Sequence, residues 1–119
     1  MATILVIEDL PDNANLMRKA ITTLGHTMEW AQTAEAGLEA ASATPPDLIL
    51  LDLGLPDMDG QVLIGWLRDL PELTGTPILV VTAWPPDTAK RMAEEYAFDG
   101  YIAKPFRVKD FMNIVQSYL

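Results

Sequence analysis

The stretch "PDLILLDLGLPDMDG", residues 46–60, decides how the rest of the chain is read. Four apolar residues, Leu48 to Leu51, run without a break into Asp52, and Asp57 and Asp59 follow within seven positions. An unbroken apolar run of this length suits a strand covered on both faces, whereas a strand with one wet face alternates. A carboxylate at the end of such a run is either part of an acidic loop or a group held at the rim of a sheet.

Working outward, similar runs occur at "TILVI" (3–7) and "PILVV" (77–81), with weaker ones at "TMEW" (27–30) and "GYIA" (100–103). The intervening segments have helical spacing. Ala14, Met17, Ala20, Ile21 and Leu24 share a face that Gly25 closes, and an Ala-rich segment, 33–43, opens at Thr33 as a candidate N-cap. Val62, Leu63, Trp66, Leu67 and Leu70 form a third stripe ending at Pro71. Residues 86–97 are less regular, and Val108, Phe111, Met112, Val115 and Leu119 form the last stripe. Strand and helix alternate five times, which predicts an α/β domain over residues 1–119 with a doubly wound parallel sheet and right-handed crossovers.

Composition narrows the function. The 119 residues fit one domain with a single core, and 50% of them are hydrophobic. Seventeen acids against eight Lys and Arg leave a formal charge of −9, which argues against direct binding to nucleic acid or an anionic membrane. No cysteine is present, so disulfides, thiolate metal sites and cysteine nucleophiles are excluded. No signal peptide or 18-residue apolar span is evident, and a cytoplasmic location is expected.

In doubly wound sheets, ligands bind beyond the carboxyl ends of the strands. Glu8 and Asp9 follow the first predicted strand, Asp52 the third, Thr82 the fourth and Lys104 the fifth. Each has a plain structural reading: an acid after a strand often caps the next helix, Thr82 ends a strand, and an isolated lysine is usually solvated. Their coincidence on one rim points to chemistry. Three clustered carboxylates repel unless one is protonated or a cation sits among them. An oxygen-only, partly open site favours Mg²⁺. A carboxylate beside Mg²⁺ can attack phosphorus and form an acyl phosphate, with the ion, an ammonium and a hydroxyl around the transferred group.

These residues resemble the receiver domains of two-component response regulators (the CheY-like family) over essentially the whole chain. The matching stretches are "ILVIEDLPDN", "PDLILLDLGLPDMDG", "PILVVTA" and "GYIAKPF", with Thr82 30 residues after Asp52 and Lys104 22 after Thr82. The resemblance implies a flavodoxin-like (βα)5 fold with strand order 2-1-3-4-5, an order carried over rather than deduced. It implies a phosphorylation-dependent signalling switch that catalyses only its own phosphotransfer and dephosphorylation. Asp52 would take a phosphoryl group from a histidine kinase or histidine phosphotransfer protein. Asp9, Asp52 and the Gly54 carbonyl would ligate Mg²⁺, with Glu8 acting through water. Lys104 would pair with the phosphoryl oxygens, Thr82 and Tyr101 would be the switch residues, and Lys104–Pro105 would be cis. The downstream target stays open, with a dimer through the fourth helix, fifth strand and fifth helix as one assembly to consider. Because the sequence stops where the fifth helix should end, no output domain is expected within it.

Two other classes compete. A receiver-shaped interaction module that ignores phosphate would not need the full set of Glu8, Asp9, Asp52, Thr82 and Lys104. A Mg²⁺-dependent hydrolase with an aspartyl nucleophile usually has a second acid two residues on, where this chain has Gly54. No glycine-rich phosphate loop follows the first strand. His26 is expected at the surface, and Trp30 and Trp66 in core or half-core space. The unusual "TAWPPD" puts two prolines after Trp84. They either start the next helix or stiffen the loop beyond Thr82.

Overall fold

The computed structural model describes residues 1–119. Ten elements alternate along the chain: β1 (Thr3–Ile7), α1 (Pro11–Thr23), β2 (Thr27–Ala31), α2 (Ala34–Ala43), β3 (Leu48–Asp52), α3 (Gly60–Arg68), β4 (Ile78–Thr82), α4 (Pro86–Tyr96), β5 (Gly100–Ala103) and α5 (Val108–Ser117). A short 3-10 turn, Pro71–Leu73, precedes β4. All strands pair in parallel in the order β2-β1-β3-β4-β5, as expected.

Register explains why the central runs are continuously apolar. Val6, Leu50 and Leu79 lie side by side on one face, and Ile7, Leu51 and Val80 on the other. The first row packs with Met17, Ile21, Phe111 and Val115 of α1 and α5. The second packs with Leu63, Ile64 and Leu67 of α3 and the small residues Ala34 and Ala41 of α2. Each fully buried Leu or Ile contributes roughly 1.5–3 kcal/mol from removal of apolar surface from water. Gly37 lets α2 approach closely, since a Cβ there would collide with the Ile7 side chain. No helix is long and apolar enough to cross a membrane.

Local signals hold where their chemistry is specific. The Thr33 hydroxyl accepts from the Ala36 N–H at 3.1 Å and caps α2. Gly25, with φ +84°, follows the end of α1 in the left-handed region that glycine tolerates. The Lys104–Pro105 bond is cis.

Three expectations are corrected. Trp66 is 52% exposed and Val62 46% exposed, so neither belongs to the core. The buried side of α3 is Gly60, Leu63, Ile64 and Leu67, and steps of 100° per residue place 62 and 66 on the opposite side. Val108 and Leu119 are likewise exposed, leaving Phe111 and Val115 as the anchors of α5. His26 is half-buried rather than superficial, because its Nδ1 accepts the Ala2 N–H at 2.9 Å and ties down the start of the chain.

Candidate functional site

Asp52 and Thr82 are the last residues of β3 and β4, so the sheet ladder itself fixes their positions at the rim. Both are nearly buried, at 7% and 5% exposure. Glu8, one residue past β1, is fully buried. Its main chain is clamped from both directions: its N–H donates to the Ala31 carbonyl at 3.0 Å, and its carbonyl accepts from Trp30 Nε1 at 2.7 Å. The half-buried Trp30 therefore serves the rim as well as the core. Asp9 follows, and one carboxylate oxygen from each of Glu8, Asp9 and Asp52 lies within 4.8 Å of the others.

Neither acid caps α1. That helix begins at Pro11 with no side-chain cap. The Glu8 carboxylate accepts only a long bond, 3.4 Å, from the Leu10 N–H through Oε2. Its other oxygen, Oε1, is buried without a partner. An orphaned buried carboxylate oxygen is costly, and its cause here is local: two more acids stand beside it. Burial, reinforced by the neighbouring Asp52 carboxylate, pushes the Glu8 carboxyl from 4.5 up to about 7.

Across the rim, Lys104 Nζ donates to Asp52 Oδ1 at 3.1 Å, and the Gly54 N–H donates to the same oxygen at 3.1 Å. Burial works to raise the Asp52 carboxyl, but the adjacent Glu8 carboxyl, the Gly54 N–H and the Lys104 ammonium together outweigh it. The group is held below its usual value. Lys104 is placed by its own main chain, whose N–H donates to the Thr82 carbonyl at 2.8 Å.

The structure thus brings Glu8, Asp9, Asp52, Gly54 and Lys104 together. Thr82 stands on the same rim, but its hydroxyl accepts the Trp84 N–H at 3.0 Å and forms no bond to Asp52. Tyr101 is further away. It lies opposite Val80 in the register, half-buried in a groove of about 790 Å³ between α4 and α5 that Lys90, Ile114 and Tyr118 also line.

Three polar residues that sequence spacing does not single out shape the surroundings. Asp57, in the loop after β3, accepts the Ala34 and Glu35 N–H groups at 3.0 and 3.2 Å, and these bonds hold its carboxyl below the usual range. It ties the loop beside Asp52 to the N-terminus of α2. Arg68 donates to the carbonyls of Ala97, Leu73 and Thr76 and, at 2.7 Å, to Asp99 Oδ2. Asp99 in turn accepts the Ile78 N–H at 2.8 Å. The one available signal was that Arg68 is the only base between residues 20 and 89.

Two acids flanking an aspartate, opposed by a lysine, form an arrangement with known counterparts. The response regulator receiver domain profile matches residues 4–116. The transcriptional regulatory protein KdpE of Mycobacterium tuberculosis (strain CDC 1551) is 38% identical over 112 residues, covering 94% of this chain and 48% of KdpE. The polar-differentiation response regulator DivK of Brucella ovis is 31% identical over 117 residues, covering 98% of this chain and 95% of DivK. The chain therefore spans about half the length of the KdpE proteins and nearly all of DivK. Among solved structures, the receiver domain of sensor histidine kinase PA1611 from Pseudomonas aeruginosa PAO1 superposes with TM-score 0.88 at 25% identity, over 98% of this chain and 96% of that one. That structure holds a magnesium ion in its active-site cleft.

Proposed function

The chain belongs to the response regulator receiver domain family, and from that premise we propose that it is a switch thrown by phosphorylation of Asp52. The observation that carries this reading is the convergence of a rim aspartate, a lysine 3.1 Å from it and two further carboxylates. Both protein hydrogen bonds to the Asp52 side chain fall on Oδ1, which leaves Oδ2 as the nucleophile. Oδ2 forms a bond to phosphorus while the P–N bond of a partner's phosphohistidine breaks, and the imidazole leaves with the electron pair. A histidine kinase or histidine phosphotransfer protein supplies that group. Water later attacks the acyl phosphate and releases inorganic phosphate. Lys104 neutralises charge on the transferred oxygens, and Thr82 exchanges its bond from Trp84 N–H for a donated bond to the phosphoryl group.

The donor set fits a hard divalent cation: three carboxylates, one with an unpartnered buried oxygen, and no sulfur or imidazole ligand. Asp9 and Asp52 would hold Mg²⁺ together with the Gly54 carbonyl, and Glu8 would act through water. The ion would neutralise charge developing on the phosphoryl oxygens. Tyr101, beneath Thr82 on the neighbouring strand, would follow the hydroxyl's movement and change the surface between α4 and α5. A cytoplasmic setting suits partners of this kind, as does a dimer through α4, β5 and α5.

Incubation with acetyl phosphate and Mg²⁺, followed by mass mapping, tests the assignment. Label is expected on Asp52 and lost in Asp52→Asn. Label that persists in that variant would place the chemistry elsewhere. A complete absence of label in the wild-type protein would favour a phosphate-independent interaction module.

A further inference from the structure

Charge is distributed unevenly along this chain. Residues 20–89 contain ten acids and one base, so this stretch carries the whole formal charge of −9; the remainder is balanced, with seven acids and seven bases. The single lysine or arginine there, Arg68, is already engaged, its guanidinium bonded to Ala97, Leu73, Thr76 and Asp99. The acidic half contains α2 and α3, which pack side by side.

In the middle of that half lies an exposed apolar pair. Val62 and Trp66 stand one helical turn apart on the outer side of α3, 46% and 52% exposed. Leu70, just past the end of α3 and partly packed on the core, lines a shallow groove with Leu38, Glu39, Ser42 and Ala43 of α2. Gly65, beside Trp66, has open space where a side chain would stand. Exposed acids surround these residues: Glu35 and Glu39 on α2, Asp59 and Asp69 at the two ends of α3, and Glu72 beyond. The indole needs nothing from the fold, since α3 already buries Leu63, Ile64 and Leu67 on its other side.

We propose that the α2–α3 face is a docking surface for a basic amphipathic helix of a partner protein. Its apolar side would cover Val62, Trp66 and Leu70, and its Lys or Arg residues would meet Glu39, Asp69 and Glu72. Charge complementarity selects this occupant. A second copy would bring a matching acidic half against this one, and nucleic acid or an anionic membrane would be repelled. An exposed tryptophan ringed by charges has the composition of an interface anchor. The surface is separate from the Asp52 rim and from the groove holding Tyr101, so this inference stands or falls independently of the phosphorylation reading.

The test uses a model amphipathic Leu/Lys helical peptide and an all-Lys peptide of equal charge, titrated into the ¹⁵N-labelled protein. The amphipathic peptide is expected to shift resonances of Val62, Trp66, Leu70 and Leu38, and to bind more weakly as salt rises. Trp66→Ala should weaken it about tenfold, in the range of an interface anchor, while leaving weak all-Lys binding unchanged. Glu39→Gln should weaken both. Trp66 is exposed, so an unchanged melting temperature is expected to accompany the loss. Shifts centred on the Asp52 rim or the Tyr101 groove would overturn the proposal, as would equal binding of the two peptides. Concentration-dependent dimerisation abolished by Trp66→Glu would overturn it in favour of a second copy.

Discussion

Lys104 and Asp52, 52 residues apart in the chain, meet at 3.1 Å because β5 and β3 flank β4 and end at the same rim. The lysine occupies the place of a cation among three carboxylates without filling the needs of all three: it satisfies Asp52 Oδ1 and leaves Glu8 Oε1 orphaned. This half-compensated cluster is the source of most of what the site is expected to do.

Lys104→Met should therefore have opposite effects on two measurements. Removing the ammonium strips transition-state charge compensation, so labelling of Asp52 by acetyl phosphate should slow by about two orders of magnitude. It also removes a competing positive charge, so Mg²⁺ affinity, followed by calorimetry, should rise. A parallel fall in both would mean that the lysine mainly maintains the local structure.

Stability without metal should decline between pH 4.5 and 7. The Glu8 carboxyl has a raised value, about 7, in the folded protein, so the folded chain holds a proton that the unfolded chain has released. Its contribution is full below 4.5 and is lost as pH climbs through 7, a change on the order of 3 kcal/mol. Asp52, held below its usual value, acts in the reverse sense, and only below about pH 4. Urea melts at pH 5 and 7.5 should show the loss, and Glu8→Gln or added Mg²⁺ should flatten it.

Pro85 and Pro86 begin α4 without a side-chain cap, and Pro86 occupies the first helical turn. Both readings of "WPPD" are thus compatible with the geometry, and mobility separates them. Replacing both prolines with alanine should raise backbone freedom in residues 83–88. Faster amide exchange there, with a changed lifetime of phosphorylated Asp52, would identify a stiffened loop. Unchanged exchange would leave only a helix start.

Arg68→Ala should destabilise the fold by about 2–3 kcal/mol, more than an exposed ion pair is worth. Three of its hydrogen bonds go to main-chain carbonyls that would be left without it. Arg68→Lys should recover little, since an ammonium cannot reproduce the planar fork. Denaturant melts of the two variants measure this.

The element order and the rim residues were legible in the sequence because their signals are local: unbroken apolar runs, and a polar residue of fixed type at the end of each. Trp66 and Val62 misled because an apolar residue at helical spacing says that a stripe exists, not which side faces the sheet. Leu63, Ile64 and Leu67 formed an equally good stripe, and only packing chose between them. The clamp on Glu8 by Trp30, the Asp57 bond to α2 and the Arg68 bonds to Ala97 and Asp99 join residues 22 or more apart. Side-chain contacts of that kind leave no periodic trace.

The Arg68 network also determines how α4 can move. The C-terminal end of the helix is tethered through the Ala97 carbonyl and the Asp99 side chain, while the end nearest Thr82 has no side-chain cap. If Thr82 switches as proposed, the displacement would swing the helix about a fulcrum near Ala97. Travel would be greatest at Pro86 and would fade over the roughly 16 Å to Tyr96. Lys90, midway along this lever, lines the Tyr101 groove, so a small rotation would reshape it without disturbing the far end of the sheet.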